Sequence, residues 1–144
     1  MLIGEYTHSL DEKNRMSLPV KFRKELGKKV VITHGLDTCL FVFSEPEWKK
    51  FSEKLSQLSM AERDKRKFTR FMLGGAIETE IDGAGRILIP EFLKSYAKLK
   101  DKTVVSGLYS RVEIWNEKNW NSYKKSVEEN IDILAEKLGE VGAL

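Results

Sequence analysis

Two arginines in this chain are placed as groups that could grip an anion. Residues 10–19 read LDEKNRMSLP and residues 81–90 read IDGAGRILIP. An apolar residue, Asp, three turn-like residues, Arg, an apolar run and Pro therefore occur twice, 71 positions apart. A guanidinium at the rim of a rigid loop offers a planar set of donors suited to phosphate or to O6 and N7 of guanine. The same residues allow a plainer outcome, an Asp–Arg ion pair that holds no ligand, since surface pairs are common and individually weak. Asp11 and Asp82 can accept from turn amides two residues on, which would fix each loop. Asn14 stands where the second copy has Gly85, and these residue types adopt positive φ most readily. A hairpin turn that closes through a left-handed residue needs one of them there. Asp thus reads as structural and Arg as available. Lys13 charges the first loop where the second has Ala84, so loops alike in geometry are unequal in chemistry.

The elements that must hold these loops follow from the same repetition. Side chains alternate along a strand, so Met16 with Leu18, and Ile87 with Ile89, face one way while Arg15 and Arg86 face the other. Pro19 and Pro90 each open a short helical segment, VKFRKEL and EFLKSYA. Further on, VITHGLDTCLFVFSEPEW (31–48) faces VVSGLYSRVEIWNEKNW (104–120), with Gly35, Leu36 and Trp48 on Gly107, Leu108 and Trp120. Each copy reads as strand, tight turn, strand, short helix, hairpin and longer helix. The first longer helix starts at SEPEW, with Ser44 as N-cap and Pro46 in the first turn. Its apolar positions Trp48, Phe51, Leu55 and Leu58 keep a helical period. The second starts at Asn116 and continues the pattern through Trp120, Tyr123, Val127, Ile131, Leu134 and Leu138. Between the copies, SMAERDKRKFTRFMLGG reads as a helix ended by Gly74 and Gly75. The expected layout is a first repeat over 1–58, a linking helix over 59–75 and a second repeat over 76–144. A lone hairpin cannot make a stable core, so the copies are expected to complete one α+β domain. Two independent beads of about 55 residues are the poorer alternative.

Composition limits the chemistry. The chain has 144 residues, 41% apolar and 33% charged, with no apolar run near the ~20 residues of a membrane span. MLIGEYTH lacks a basic stretch followed by an apolar one, so export is not expected. Cys39 is the only cysteine, which excludes an intrachain disulfide and fits a cytosolic home. It sits in CLFVF, an apolar strand, where a buried thiol is ordinary. The net charge of +3 permits nucleic acid without demanding it, so charge for an anion must be local. His8 and His34 have no Cys or carboxylate at ligand spacing, so no metal is expected. Neither a phosphate-binding loop nor a nucleophile elbow is present. No cofactor, small-molecule substrate or enzymatic activity is expected, although Asp82 as an acid or base is the form a rival enzyme reading would take. On the linking helix Arg63, Arg66, Lys67 and Arg70 form one basic stripe, open to phosphate, solvent or an acidic neighbour, with Glu62–Arg66 a possible pair. Phe68, Phe71 and Met72 are expected to pack inward. The last helix carries Glu128, Glu129, Asp132 and Glu136 and is not expected on DNA; packing on its own core is the simpler account of its apolar seam, with a subunit contact as the rival.

The doubled D-x-x-x-R loop, with GLDTCLFVF before a Trp-containing helix, RFMLGGA, DGAGRILIP and VEIWNEKNW, resembles the MraZ family over essentially the whole chain. That family falls in the AbrB/SpoVT-like swapped-hairpin group. The resemblance implies a tandem-repeat swapped-hairpin β-barrel decorated with helices. It also implies a bacterial DNA-binding transcriptional regulator of the division and cell-wall gene cluster, usually a repressor of its own operon. Such a protein would bind tandem promoter repeats in double-stranded DNA, assemble into a ring-shaped homo-oligomer, and be cytoplasmic and nucleoid-associated, with no membrane partner. The motif carries DNA contact onto Asp11, Arg15, Asp82 and Arg86; Lys13 and Asn14 join them by position in the loop. The rival from the same group is an AbrB-like antitoxin, whose tail is disordered until it meets a toxin, whereas 116–138 reads as a regular helix.

Overall fold

A computed structural model describes residues 1–144. The first repeat runs β1 (Leu2–Ser9), β2 (Arg15–Ser17), α1 (Val20–Leu26), β3 (Lys29–His34), β4 (Leu40–Ser44) and α2 (Glu45–Ser56). The linking helix α3 (Arg63–Gly74) leads to β5 (Ile77–Glu80), β6 (Arg86–Leu88), α4 (Glu91–Tyr96), β7 (Lys102–Tyr109), β8 (Val112–Asn116) and α5 (Glu117–Glu129). A last helix, α6 (Ile131–Glu140), follows. The order expected from the repeat is therefore observed twice. Ser44 Oγ accepts from the Glu47 amide and Asn116 Oδ1 from the Asn119 amide, so both longer helices begin on a side-chain cap.

Strand pairing crosses between the copies. The six-stranded antiparallel sheet runs β1-β7-β8-β4-β3-β5, and β2 pairs with β6 in a ladder of its own. Thus the first strand of each repeat joins the hairpin of the other: Leu2–Ser9 lies along Lys102–Tyr109, and Ile77–Glu80 along Lys29–Ile32. Gly4 pairs with Gly107 at the crossing, where a Cβ on Gly107 would stand 2.7 Å from the backbone of Leu2 and Ile3. The sheet does not close on itself; β1 and β5 are its edges.

Alternation along the strands divides the apolar side chains into two layers. Leu40 and Val42 of β4 point into the main core with Met16, Leu18, Phe22, Ile87, Ile89 and Leu93, drawn from both repeats. Phe41 and Phe43 of the same strand point the other way, onto Leu55 of α2, Met72 of α3 and Trp115 of β8. The β2–β6 ladder with α1 and α4 thus covers one sheet face, and the longer helices cover the other. Full burial of side chains such as Phe22 or Met16 contributes ~1.5–3 kcal/mol each, and neither repeat holds that core alone.

Four expectations change. The helix expected over 116–138 is broken at Asn130, whose Nδ2 donates to the Ser126 carbonyl at 3.0 Å and competes with the backbone ladder. Beyond the break the apolar seam does not pack on the core: Ile131, Leu134 and Leu138 are exposed, and α6 buries no residue. Helix α2 packs between β4 and α3, whereas α5 packs on β7 and β8. On α3, Met72 is fully buried but Phe68 stays at the surface. Arg66 donates to the Met60 carbonyl at 2.9 Å, and Glu62 pairs with Lys65 instead.

Candidate nucleic-acid interface

Each loop is built on one carboxylate. Asp11 Oδ1 accepts the amides of Lys13 at 2.9 Å and Arg15 at 2.8 Å, and Oδ2 accepts Arg15 Nε at 2.9 Å. Asp82 does the same with the amides of Ala84 and Arg86 and with Arg86 Nε, each at 2.9 Å. The backbone bonds match as well: Asn14 and Gly85 donate to the carbonyls of Asp11 and Asp82 at 3.0 and 2.9 Å. Asn14 sits at φ 61° and Gly85 at φ 78°, the left-handed closure that the residue types imply. Amide donation from Arg15 and Arg86 does most to hold both carboxyls below the ordinary Asp range; desolvation opposes it, and the guanidinium bonds add to the lowering.

The ion pair and the free arginine prove compatible. Each guanidinium gives only Nε to its Asp, so Nη1 and Nη2 make no bond within the protein. Arg15 and Arg86 remain 32% and 34% exposed, enough for an outer edge to meet a ligand. The carboxylate aims the fork rather than consuming it. In the β2–β6 ladder Arg15 lies opposite Leu88 and Ser17 opposite Arg86, so all four share the outward face, while Met16 and Ile87 fill the core face. From strand spacing and rise the two arginine Cα atoms stand roughly 8 Å apart.

The repeats also hold each other's loops. Leu18 N–H donates to the Gly85 carbonyl at 2.9 Å and Ile89 N–H to the Asn14 carbonyl at 2.8 Å. Asn14 Nδ2 donates to Glu91 at 2.9 Å, and Lys94 Nζ donates to Asn14 Oδ1 at 2.9 Å. Arg23, the first-repeat counterpart of Lys94, lies against Gly85. Neither Arg23 nor Lys94 was singled out by the loop motif. Their signal was the repeat itself, which puts a basic residue at the same helical position in VKFRKEL and EFLKSYA.

The other candidate groups lie elsewhere. Arg63, Arg66, Lys67 and Arg70 are on α3, across the sheet from the loops, since α3 packs through Met72 on the second apolar layer. The His34 ring stacks on Phe71 and lies 3.0 Å, through Nδ1, from the Phe71 carbonyl. The Cys39 thiol donates to the Leu36 carbonyl, and burial pushes its pKa far up, leaving it unreactive. No helix is long and apolar enough to cross a membrane.

An α+β chain whose two copies of one unit exchange strands, and which carries a matched pair of Asp-anchored Arg loops on one ladder, is a tandem-repeat protein with a doubled arginine-bearing surface. The family model described as "MraZ protein, putative antitoxin-like" matches it twice, over residues 1–71 and 72–139. It is 49% identical over 138 residues to the transcriptional regulator MraZ of Caldanaerobacter subterraneus subsp. tengcongensis, covering 96% of each chain. It is 46% identical over 142 residues to the protein of that name from Caldicellulosiruptor saccharolyticus, covering 99% of each. The chain belongs to the MraZ family, which is not a family of enzymes.

Proposed function

We propose that this chain is a sequence-specific DNA-binding transcriptional regulator whose two loops enter the grooves of promoter DNA. The observation that carries the reading is the pair of arginine forks, each fixed at Nε and open at Nη1 and Nη2, on the outward face of a single ladder. Their spacing of roughly 8 Å spans two to three base-pair steps of about 3.4 Å, so neighbouring bases or phosphates are within joint reach. Arg15 and Arg86 read guanine or phosphate, Asp11 and Asp82 hold them, and Lys13 and Asn14 extend the first contact. Nearby cations set register on the backbone. The relatives named above are called transcriptional regulators, which agrees with this role.

The finer reading is a repressor of the division and cell-wall gene cluster, acting in the cytoplasm at the nucleoid. One subunit offers few contacts, so a ring-shaped homo-oligomer on tandem promoter repeats would gain affinity through effective concentration. The repeats would divide at 1–58 and 76–144 around the linker 59–75, in an AbrB/SpoVT-like swapped-hairpin barrel. The exchange of β1 and β5 between hairpins supports that architecture. An antitoxin role needs a tail ordered only by its partner; α5 and α6 are helical without one, which favours the regulator.

The deciding experiment is a mobility shift on duplexes with one to four tandem boxes, comparing the parent with Arg15→Ala and Arg86→Ala. Each variant is expected to lose ~1–3 kcal/mol of binding if the contact is bidentate to guanine. Parent-like binding by both would end the proposal.

A further inference from the structure

We propose that Arg23, from the first repeat's short helix, is a DNA-phosphate contact of the second loop, and that Gly85 lacks a side chain so that this guanidinium can lie there. The inference rests on the reading that the loops bind DNA, and it deepens that reading by naming a cation from the opposite repeat. Arg23 Nε donates to the Leu18 carbonyl at 2.9 Å, and the Leu18 amide donates to the Gly85 carbonyl at 2.9 Å, so helix, strand and loop are tied in sequence. Any Cβ at Gly85 would land on Arg23 Cζ, Nε and Nη1. The guanidinium therefore occupies the space where the first loop carries the Asn14 side chain. Its Nη1 and Nη2 make no hydrogen bond, and no carboxylate lies within ion-pair distance. The same guanidinium acts on His8, whose ring is held below the ordinary His range first by burial and then by that charge.

The counterpart at the first loop is differently disposed. Lys94 Nζ is bound to Asn14 Oδ1, and the same Asn14 side chain binds Glu91, so a carboxylate adjoins that cation. The first loop thus carries its own Lys13 and keeps the borrowed cation engaged. The second has Ala84 and leaves the borrowed guanidinium open beside Arg86. A fork lying open against Gly85, the residue before Arg86, suits the non-bridging oxygens of a phosphodiester.

The test uses the full chain and a duplex enriched from a random pool by the parent protein, with binding measured across a salt series. Arg23→Gln is expected to lower the slope of log K against log salt by about one, as for a lost phosphate contact. Lys94→Gln is expected to change it less. Gly85→Asn is the second variant: it keeps every charge, tolerates the positive φ, displaces the guanidinium, and is expected to reproduce the slope loss. A parent-like slope in Arg23→Gln, with binding weakened by Arg15→Ala, would overturn this inference and leave the loop reading standing. Weaker binding by Arg23→Gln with an unchanged slope would also overturn it, since that marks a merely structural arginine. Parent-like binding by Arg15→Ala and Arg86→Ala would remove the loop reading and this inference with it.

Discussion

The first loop places Glu12, Lys13 and Asn14 at its tip where the second places Gly83, Ala84 and Gly85, yet both close on the same hydrogen bonds. Everything that sets the frame is common: the Asp, the Arg, the left-handed last tip residue and the inward apolar pair. The side chains at the tip and the contacts they make differ. The frame needs only a carboxylate with two amides and one Nε to accept, so the tip is free to vary once that is satisfied. The contrast also bears on the weaker role that charge alone would assign to the second loop. Counting Lys13 against Ala84 favours the first loop, but Arg23 beside Gly85 restores a cation to the second.

The most severe way to break the comparison is to remove both forks. The Arg15→Ala, Arg86→Ala double variant is expected to lose sequence preference and retain only salt-sensitive attraction, at roughly twice the ~1–3 kcal/mol cost of either single change. Competition between a promoter duplex and an unrelated one measures this directly. Equal single costs would make the loops functional equals; a cost confined to Arg15→Ala would reinstate the unequal reading.

A smaller effect separates the loops as structural pieces. Asn14→Ala leaves an ordinary residue at φ 61° and removes the bonds to Glu91 and Lys94. Left-handed strain of ~1–2 kcal/mol, with about 0.5–1.5 kcal/mol for each lost bond, predicts a fall in the urea midpoint at unchanged m-value. Gly85→Ala meets the same strain but puts only one side-chain bond at risk, that of Arg23 Nε to the Leu18 carbonyl, so its stability loss is expected to be smaller. A larger loss in Gly85→Ala would mean that Arg23 cannot move aside.

These residues also show how far the sequence could be read. The repeat, the order of elements, the Asp-to-amide bonds and the positive φ at Asn14 and Gly85 were legible, because each depends on local chemistry repeated at one spacing. The exchange of β1 and β5 between hairpins leaves no local mark; the family resemblance alone raised it. Arg23 and Lys94 are not legible in the loop motif because they reach their loops through space, from helices of the other copy. The apolar seam of α6 was legible as a period, but a period does not say what it faces, and the break at Asn130 takes it off the sheet.

Acid is expected to act on both loops together. Asp11 and Asp82 are held below the ordinary carboxylate range in the folded chain. Their contribution to stability is therefore complete above that range and is lost as pH falls through the lowered values. DNA affinity should be flat with respect to these two groups from neutral pH down to mildly acidic conditions. Asp11→Asn or Asp82→Asn should each flatten part of the acid limb of a stability profile. If one substitution removed the whole of it, the two frames would not be equivalent.

The finest adjustment concerns the tip charge alone. Lys13 makes no side-chain bond in the protein; only its amide is used, by Asp11. Lys13→Ala should therefore leave stability unchanged and reduce the salt slope of DNA binding by about one, with no change in preferred sequence. Ala84→Lys is the mirror experiment, since Ala84 occupies the same turn position with its amide on Asp82. If a cation at that position faces a phosphate in either loop, Ala84→Lys raises the slope by about one. If the slope stays put while Lys13→Ala lowers it, then Arg23 already occupies the phosphate that a second-loop lysine would meet. In that case Arg23→Gln combined with Ala84→Lys should bring the slope back to the parent's.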